Sequence, residues 1–379
     1  MKILFTGGGS GGHFYPIIAV AEKLNKIIER DKIANVDLYY MSTDSYNERL
    51  LYDNKIKFQK VTAGKLRAYF SFKNFVDIFV TLWGTMKAIV QMFALYPDVV
   101  FGKGGYPSFP VLFAARLFRI PVIIHESDSV PGRVNAWAGK FAEKIALSYQ
   151  DAASFFPADR TAVTGNPIRQ EVLTQSGKDC FAELGLERGL PVLLVLGGSN
   201  GARAINNIME SLSPRLVEKY QVIHQAGPLN KDDVQNTVTG LLAGNKNSAR
   251  YHVQGYMDSE KMKLAAEAAT VVVSRAGSAI FEIAAWGIPA ILIPIANHVG
   301  DHQRKNAFAY ARSGGAVVIE EANLGPNILF SEIESLMIDN NKQELMKQSA
   351  KAFARTNAAE EIAEQIVLVL MRHQKSNTV

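Results

Sequence analysis

A histidine closes the glycine-rich opening of this chain. Residues 2–16 read KILFTGGGSGGHFYP, in which Gly7, Gly9 and Gly12 fit G-x-G-x-x-G directly after a strand-like run, and His13 stands where a helix should begin. Such a turn aims backbone amides at a phosphate at the helix N-terminus. An imidazole at its end adds a group that takes or gives a proton near neutrality. The loop is therefore either a passive cradle for a cofactor or a cradle that also does chemistry. Dinucleotide binding needs an acidic residue about 20 positions further on for the ribose. Here the first acidic residue past the second strand-like run is Asp44, well beyond that spacing, which weighs against simple NAD binding.

Further constellations repeat the pattern. GGSNGA (197–202) precedes a helical stretch and offers amides suited to a diphosphate. SRAGSAIFE (274–282) takes a strand through a glycine into a helix carrying Glu282, which either accepts the two hydroxyls of a ribose or is a solvated helix residue. GKGGYPSFP (102–110) and HESDSVPGRVN (125–135) also follow strands. In the latter, His125, Glu126 and Asp128 suit acid/base work or sugar-hydroxyl contacts, each being as readily structural. The chain has no D-x-D, and no His/Cys/carboxylate cluster with metal-ligand spacing. No bound metal and no cofactor are expected. Phosphate charge is left to amides, helix dipoles and Arg169.

The elements that must position these residues alternate from end to end. Strand-like runs lie at Lys2–Thr6, Val36–Met41, Asp98–Phe101, Val122–His125, Val192–Leu196, Val271–Ser274 and Ala290–Ile293, most of them continuously apolar, with helical stretches between. That is how strands buried on both faces of a parallel sheet read. The class is α/β, doubly wound. The halves echo one another: KILFTGGGSGGH has a counterpart in PVLLVLGGSNGARAIN, and residues 98–124 one in residues 270–293. Two Rossmann-like domains facing a cleft are expected, spanning residues 1–164 and 165–350, with a last helix, about 351–374, packing back on the first. Glycine loops at strand ends place ligands at the switch point of each sheet.

Bulk properties narrow the function. The 379 residues exceed one ordinary core. The single cysteine, Cys180, excludes an internal disulfide and reads as a filler thiol in a reducing compartment. No signal peptide is expected, because the first apolar run is a short strand. The net charge of +5 is uneven: residues 1–165 hold 20 basic against 14 acidic residues, and residues 55–119 hold ten against two. An anionic partner for the N-terminal half follows, either a membrane surface or a polyanion. Residues 72–96 place Phe72, Phe75, Phe79, Leu82, Trp83 and Met86 at helical spacing, with Lys65, Arg67 and Lys73 close by. Lys73, Asp77 and Lys87 interrupt the run, so it is not expected to span a bilayer. It is either a core-facing helix or an interfacial membrane surface.

Taken together, GGGSGGH (7–13), GKGGYPS (102–108), HESDSVPGRVN (125–135), GNPIR (165–169), GGSNGA (197–202), SRAGS…FE (274–282) and DHQRKNA (301–307) occur in the order found in the MurG family of peptidoglycan glycosyltransferases, and the chain resembles that family over nearly its whole length. The resemblance implies an inverting, metal-independent glycosyltransferase of the B type. It would transfer N-acetylglucosamine from UDP-N-acetylglucosamine to lipid I (undecaprenyl-pyrophosphoryl-N-acetylmuramyl-pentapeptide), making lipid II at the cytoplasmic face of the membrane, on an anionic membrane surface and with no nucleic acid as partner. It further implies Ser199 at the donor diphosphate, backbone around Met257 at the uracil, Ser278, Ala279 and Ile280 near the nucleotide, Glu282 on the ribose and Gln303 on the sugar. Asn166 and Arg169 would reach the donor. Ser10, Gly11 and Gly12 would contact the donor sugar or the acceptor pyrophosphate, Asp128 the sugar, and His13 would be the base, with Glu126 the further catalytic candidate. Departures from the common pattern are Ser127-Asp128 in place of Gln-Asn, Phe109 in place of a glycine, and a 275–282 segment one residue short. Another UDP-sugar enzyme of this fold, such as a lipid glycosyltransferase or an epimerase, and a non-catalytic UDP-sugar scaffold remain the alternatives.

Overall fold

A computed structural model of the protein describes residues 1–65, 72–198, 200–295 and 301–377, without the side chains of 72–76 and 374–377. The chain divides into two compact units, Met1–Gln170 with Arg355–Val379, and Glu171–Ala354. The sequence reading divides the chain after residue 164; the compact units divide after Gln170, which keeps Asn166 and Arg169 with the first.

The first unit is built on seven parallel strands: β1 (Lys2–Thr6), β2 (Asp37–Ser42), β3 (Ile56–Lys60), β4 (Val99–Gly102), β5 (Val122–Glu126), β6 (Lys144–Leu147) and β7 (Thr161–Val163). Their order is β3-β2-β1-β4-β5-β6-β7. Strand alternation buries both faces. Ile3, Phe5, Val99, Phe101 and Ile123 join one core with helix α1 (Gly11–Arg30) and with Ile362, Ile366 and Leu370 of the Ala358–Asn377 helix. Leu4, Val100, Val122 and Ile124 join the other core, with Ala88, Met92, Val111 and Ala115. A strand with no solvated face reads as an unbroken apolar run, which is why these were visible in the sequence.

The Phe72–Leu95 helix is pinned along one face. Ala88, Met92 and Leu95 lie in the core, and Gly84 sits so close to the Thr62 carbonyl that any Cβ would collide with it. On its other face Phe79, Leu82, Trp83, Met86, Val90 and Phe93 are exposed, at 58%, 59%, 71%, 63%, 67% and 70%. Spacings of three and four residues make this a single stripe. The core-facing reading holds for one face, and the other face presents an exposed apolar stripe. By length and composition, Asp77–Leu95 does suffice to cross a bilayer, contrary to the expectation that its charges exclude this. Asp77 begins the segment and Lys87 is its one internal charge, so the mean hydropathy of the whole segment stays high although each uncharged run is short. Crossing would tear Ala88, Met92 and Leu95 from the core. Arg67 and the side chains of Phe72, Lys73 and Phe75 lie outside the described residues.

The second unit holds six parallel strands: β8 (Val192–Leu196), β9 (Gln221–Gln225), β10 (Tyr251–Gln254), β11 (Val271–Ser274), β12 (Ala290–Leu292) and β13 (Ala316–Val318), ordered β10-β9-β8-β11-β12-β13. Leu193, Val195, Val271 and Val273 face one core, and Val192, Leu194, Leu196 and Val272 the other. In each sheet the order reverses beside the strand that feeds the glycine loop: between β1 and β4 in the first, and between β8 and β11 in the second. Loops diverge there and leave a crevice at the carboxyl ends of the strands.

Candidate functional site

In the first unit the crevice is lined by the ends of β1, β4 and β5. Ser10 occupies the N-cap position of α1, yet its hydroxyl makes no capping bond; Ser10 Oγ lies 2.9 Å from His13 Nδ1 instead. The first amides of a 20-residue helix thus lack their usual side-chain partner and carry the positive end of its dipole. Gly11 and Gly12 add no side chain of their own at those amides, and a Cβ on Gly11 would meet the Tyr46 hydroxyl and the Tyr15 ring. Gly105, at φ 80°, packs so closely on the Gly8 carbonyl that only glycine fits, which joins the loops after β1 and β4.

Four titratable groups gather here. Glu126, at the end of β5, is 3% exposed, and its carboxylate is saturated by donors. Oε1 accepts from the Asp128 amide (3.0 Å), and Oε2 accepts from the Gly132 amide and Asn135 Nδ2 (both 3.0 Å). Burial pushes the Glu126 carboxyl up, as does the neighbouring Asp128, against these bonds and the charge of Lys103. Glu126 therefore shapes the 126–135 loop, the structural one of the two parts the sequence left open for it. His125 is fully buried, with Nε2 3.0 Å from the Gly165 carbonyl oxygen and 3.3 Å from Ser148 Oγ. Burial, with Lys103 nearby, holds its imidazole far below the usual range. His125 thus anchors the 165–169 segment rather than titrating. Burial and the charge of Lys103 together lower His13 to about 4, opposed by Asp128. Above that value the imidazole is neutral and able to accept a proton.

Past β7, Asn166 is 5% exposed, with Nδ2 donating to the Pro167 carbonyl at 3.4 Å. The Arg169 guanidinium lies 4.3 Å from the centre of the Tyr15 ring on the first turns of α1. The structure thus brings Ser10, Gly11, Gly12, His13, Glu126, Asp128, Asn166 and Arg169 to one edge of the first sheet. Lys103 and Tyr15 stand among them and were missed. A lysine in a glycine loop looks solvated, and only the position of Gly102 in register with both Thr6 and Ile124 signals its burial.

In the second unit, Gly197 and Gly198 follow β8, and Ala202 is the N-cap of the Arg203–Leu216 helix, with no side-chain cap. Gly201, at φ 77°, lies against the Ala226 carbonyl where no Cβ fits. Gln225, 4% exposed at the end of β9, donates from Nε2 to the Gly198 carbonyl (3.3 Å) and accepts the Met257 amide at Oε1 (3.2 Å). One buried amide side chain therefore couples the glycine loop to Met257. Sequence reasoning missed Gln225, and its polarity inside an apolar strand was the available signal. Behind it His224, lowered to about 3 by burial, lies 3.1 Å from Asn206 Oδ1 and 3.0 Å from the Tyr251 hydroxyl.

Ser278 caps the Ala279–Trp286 helix by position, and Glu282 falls in its first turn, half-buried. Ile280 and Met257 are 0% and 2% exposed, so only their backbone is available to a ligand. Arg275 is committed to Glu321 and to the Ile293 carbonyl. Gln303 Oε1 accepts the Ile295 amide at 3.2 Å. Ser199 lies outside the described residues. Among the described residues no group of three or more His, Cys, Asp or Glu could hold a metal ion. Among the described residues the unit offers backbone amides after β8 with no side-chain cap over them, and the Glu282 carboxylate in the first turn of the helix that follows β11.

Comparison with known proteins gives a consistent result. The Glycosyltransferase family 28 N-terminal domain matches residues 3–147, and the Glycosyltransferase family 28 C-terminal domain matches residues 192–366. The chain is 37% identical over 361 residues to a UDP-N-acetylglucosamine–N-acetylmuramyl-(pentapeptide) pyrophosphoryl-undecaprenol N-acetylglucosamine transferase of Bacillus thuringiensis subsp. konkukian, covering 94% of this chain and 97% of that one. A crystal structure of MurG from Acinetobacter baumannii superposes with a TM-score of 0.70 at 26% identity, over 96% of this chain and 98% of that one. The UDP-GlcNAc 2-epimerase of Neisseria meningitidis bound to UDP-GlcNAc reaches a TM-score of 0.68 at 15% identity, over 97% and 100% of the two chains, and shares the fold alone.

Proposed function

The chain belongs to glycosyltransferase family 28, within the family of UDP-N-acetylglucosamine–N-acetylmuramyl-(pentapeptide) pyrophosphoryl-undecaprenol N-acetylglucosamine transferases, and we infer from that premise that it moves N-acetylglucosamine from UDP-N-acetylglucosamine to the muramyl sugar of lipid I. The product is lipid II, the unit from which peptidoglycan is built. The observation that carries this reading is the near full-length identity to the transferases. The site supports it with two uncapped helix N-termini, each behind a glycine loop, and a neutral histidine beside one of them.

The chemistry is a displacement. The acceptor hydroxyl attacks the anomeric carbon of the donor, the bond from that carbon to the phosphate oxygen breaks, and UDP leaves with the electron pair. Attack opposite the leaving group inverts the centre to a β-linkage. His13 takes the hydroxyl proton. Ser10 Oγ lies 2.9 Å from His13 Nδ1; in the tautomer in which Nδ1–H donates to that hydroxyl, Nε2 is the accepting nitrogen. Negative charge growing on the leaving diphosphate is met by the amides of residues 197–202 and the N-terminus of the Arg203–Leu216 helix, already oriented before reaction. Glu282 accepts the ribose hydroxyls, and the backbone at Met257 and at Ser278, Ala279 and Ile280 frames the nucleotide. Ser199 and Gln303 complete the donor set. In the first unit Ser10, Gly11 and Gly12 meet the donor sugar or the acceptor pyrophosphate, Asp128 meets the sugar, and Asn166 and Arg169 reach the donor.

The acceptor stays in the bilayer on its undecaprenyl chain, so the enzyme meets it there. The exposed stripe of the Phe72–Leu95 helix, with Lys65 and Lys87 exposed nearby, supports peripheral attachment to an anionic surface at the cytoplasmic face. The transferase reading is separated from a UDP-sugar epimerase by incubating the protein with UDP-N-acetylglucosamine alone. The donor is then recovered with its sugar unchanged; conversion to another sugar without any acceptor would overturn the reading.

A further inference from the structure

Two glutamines of β9 are buried, Gln221 at 1% and Gln225 at 4% exposed, on one face of the strand. A buried amide side chain is costly unless it is hydrogen-bonded. Gln221, where the strand begins, accepts the Glu187 amide at 2.6 Å and donates to the Glu187 carbonyl at 2.8 Å. Those partners lie at the end of the sheet away from the glycine loop, and Gln221 serves the fold. Gln225, where the strand ends, is used differently. Its Nε2 donates to the Gly198 carbonyl at 3.3 Å, its Oε1 accepts the Met257 amide at 3.2 Å, and its own carbonyl accepts the Gly197 amide at 3.4 Å. The residues that follow form the floor of the same loop. A Cβ on Gly201 would stand 1.9 Å from the Ala226 carbonyl oxygen, and one on Gly227 would stand 2.5 Å from that of Asn200. Asn206 Nδ2 donates to the Ala226 carbonyl at 3.0 Å, and Asn230 Nδ2 reaches it at 3.2 Å. Gly198 itself, at φ 84°, has open space where a side chain would stand, so no side-chain packing holds it. Its carbonyl is held by the Gly201 amide, at 3.0 Å, and by Gln225.

We propose that Gln225 is a positioning residue for the donor: bonded at once to the Gly198 carbonyl and to the Met257 amide, it fixes the glycine loop at one set distance from the backbone at Met257, so that a nucleoside diphosphate is held by both halves together. The proposal rests on the reading that residues 197–202 receive the diphosphate and the backbone around Met257 the uracil. A glycine peptide rotates at little steric cost, and a carbonyl turned toward a diphosphate would repel it. Bonding the Gly198 carbonyl to a buried side chain opposes that rotation. On the other side Met257 is 2% exposed, so its amide ties the nucleoside half to the same strand end. Two half-sites joined on a rigid span bind a linked ligand far more tightly than either binds its own part, and that gain is lost when the span wanders. The dual bond needs a side chain with one donor and one acceptor at this length. A glutamate in its place has no donor for Gly198 and brings a carboxylate behind the loop. An asparagine is one methylene too short to reach both partners, and a methionine fills the volume with neither bond.

The test compares the equilibrium binding of UDP with that of uridine to the full-length protein, in wild type, Q225M, Q225E and Q221M. The ratio of the two affinities measures what the diphosphate adds. In Q225M that ratio is expected to fall about tenfold, the effect of about one net hydrogen bond, with the donor KM rising in step and the acceptor KM unchanged. In Q225E uridine binding is expected to stay near wild type, because Oε1 still accepts from Met257, while UDP binding falls further than in Q225M. Q221M removes the matching bonds at the far end of the strand; it is expected to lower the Tm and to leave the ratio at its wild-type value. Circular dichroism establishes that the variants are folded; should Q225M fail to fold, Q225N carries the same measurement. A wild-type ratio in the folded Gln225 variant, or an equal fall in Q221M, would overturn the proposal. Failure of the underlying reading looks different: wild type itself would then bind UDP no more tightly than uridine, and the proposal would fall with it.

Discussion

Replacing Phe79 and Trp83 together by serine separates membrane attachment from folding. Both side chains sit on the outward stripe of the Phe72–Leu95 helix, 58% and 71% exposed, so the fold makes limited use of them. Surface substitutions of this kind usually change stability by less than about 0.5 kcal/mol each. At a lipid surface the same two side chains are the aromatic pair at the N-terminal part of a six-residue exposed stripe. Fully burying a large apolar side chain contributes about 1.5–3 kcal/mol. Scaling by the fraction still exposed gives roughly 1–2 kcal/mol for each, and about 2–4 kcal/mol for the pair. At about 1.4 kcal/mol per power of ten, vesicle partitioning should fall between one and three powers of ten. The assay is sedimentation with vesicles carrying an anionic phospholipid, alongside circular dichroism and turnover of a water-soluble acceptor analogue. A folded double mutant should keep turnover on the analogue and lose vesicle binding. Vesicle binding equal to wild type, or loss of the fold, would refute the reasoning.

H13A should keep donor affinity and lose about 10²–10⁴-fold in turnover, the usual cost of removing a general base. In the wild type, burial and Lys103 lower His13 to about 4, so the base is present above that pH and lost as pH falls through it; kcat/KM measured from pH 7 down to 5 should show no limb from this group. E282A should raise the KM for UDP-N-acetylglucosamine by one to two powers of ten, for a lost charged hydrogen bond of about 1.5–3 kcal/mol, with the acceptor KM little changed. An unaltered donor KM would mean that the carboxylate does not reach the ribose. Turnover should persist in excess EDTA, because amides and helix termini receive the diphosphate; a requirement for magnesium or manganese, restored by adding the ion back, would contradict this.

Much of this was legible in the sequence because buried parallel strands advertise themselves. Lys2–Thr6, Val192–Leu196 and Val271–Ser274 stand where the apolar runs put them. The strands that went unread are polar or peripheral. Ile56–Lys60 lies at a sheet edge and alternates with lysine, and Gln221–Gln225 hides His224 and two glutamines inside its buried run. The glycine loops were readable because their spacing is local. What each polar side chain does in them was not, since that depends on strands far apart in the chain. Glu126 looked like an acid or base until the amides of Asp128 and Gly132 and the side chain of Asn135 were seen to saturate it. Gln225 acts through partners 20 or more residues away, which no short motif encodes.

The central claim is tested most directly by incubating the protein with labelled UDP-N-acetylglucosamine and a short-chain lipid I analogue, with UDP-N-acetylgalactosamine as the control donor. The account predicts label in the lipid fraction as a β-linked disaccharide, one UDP released per transfer, and little transfer from the control. Binding of the donor without any label reaching the acceptor, or equal transfer from both donors, would contradict it.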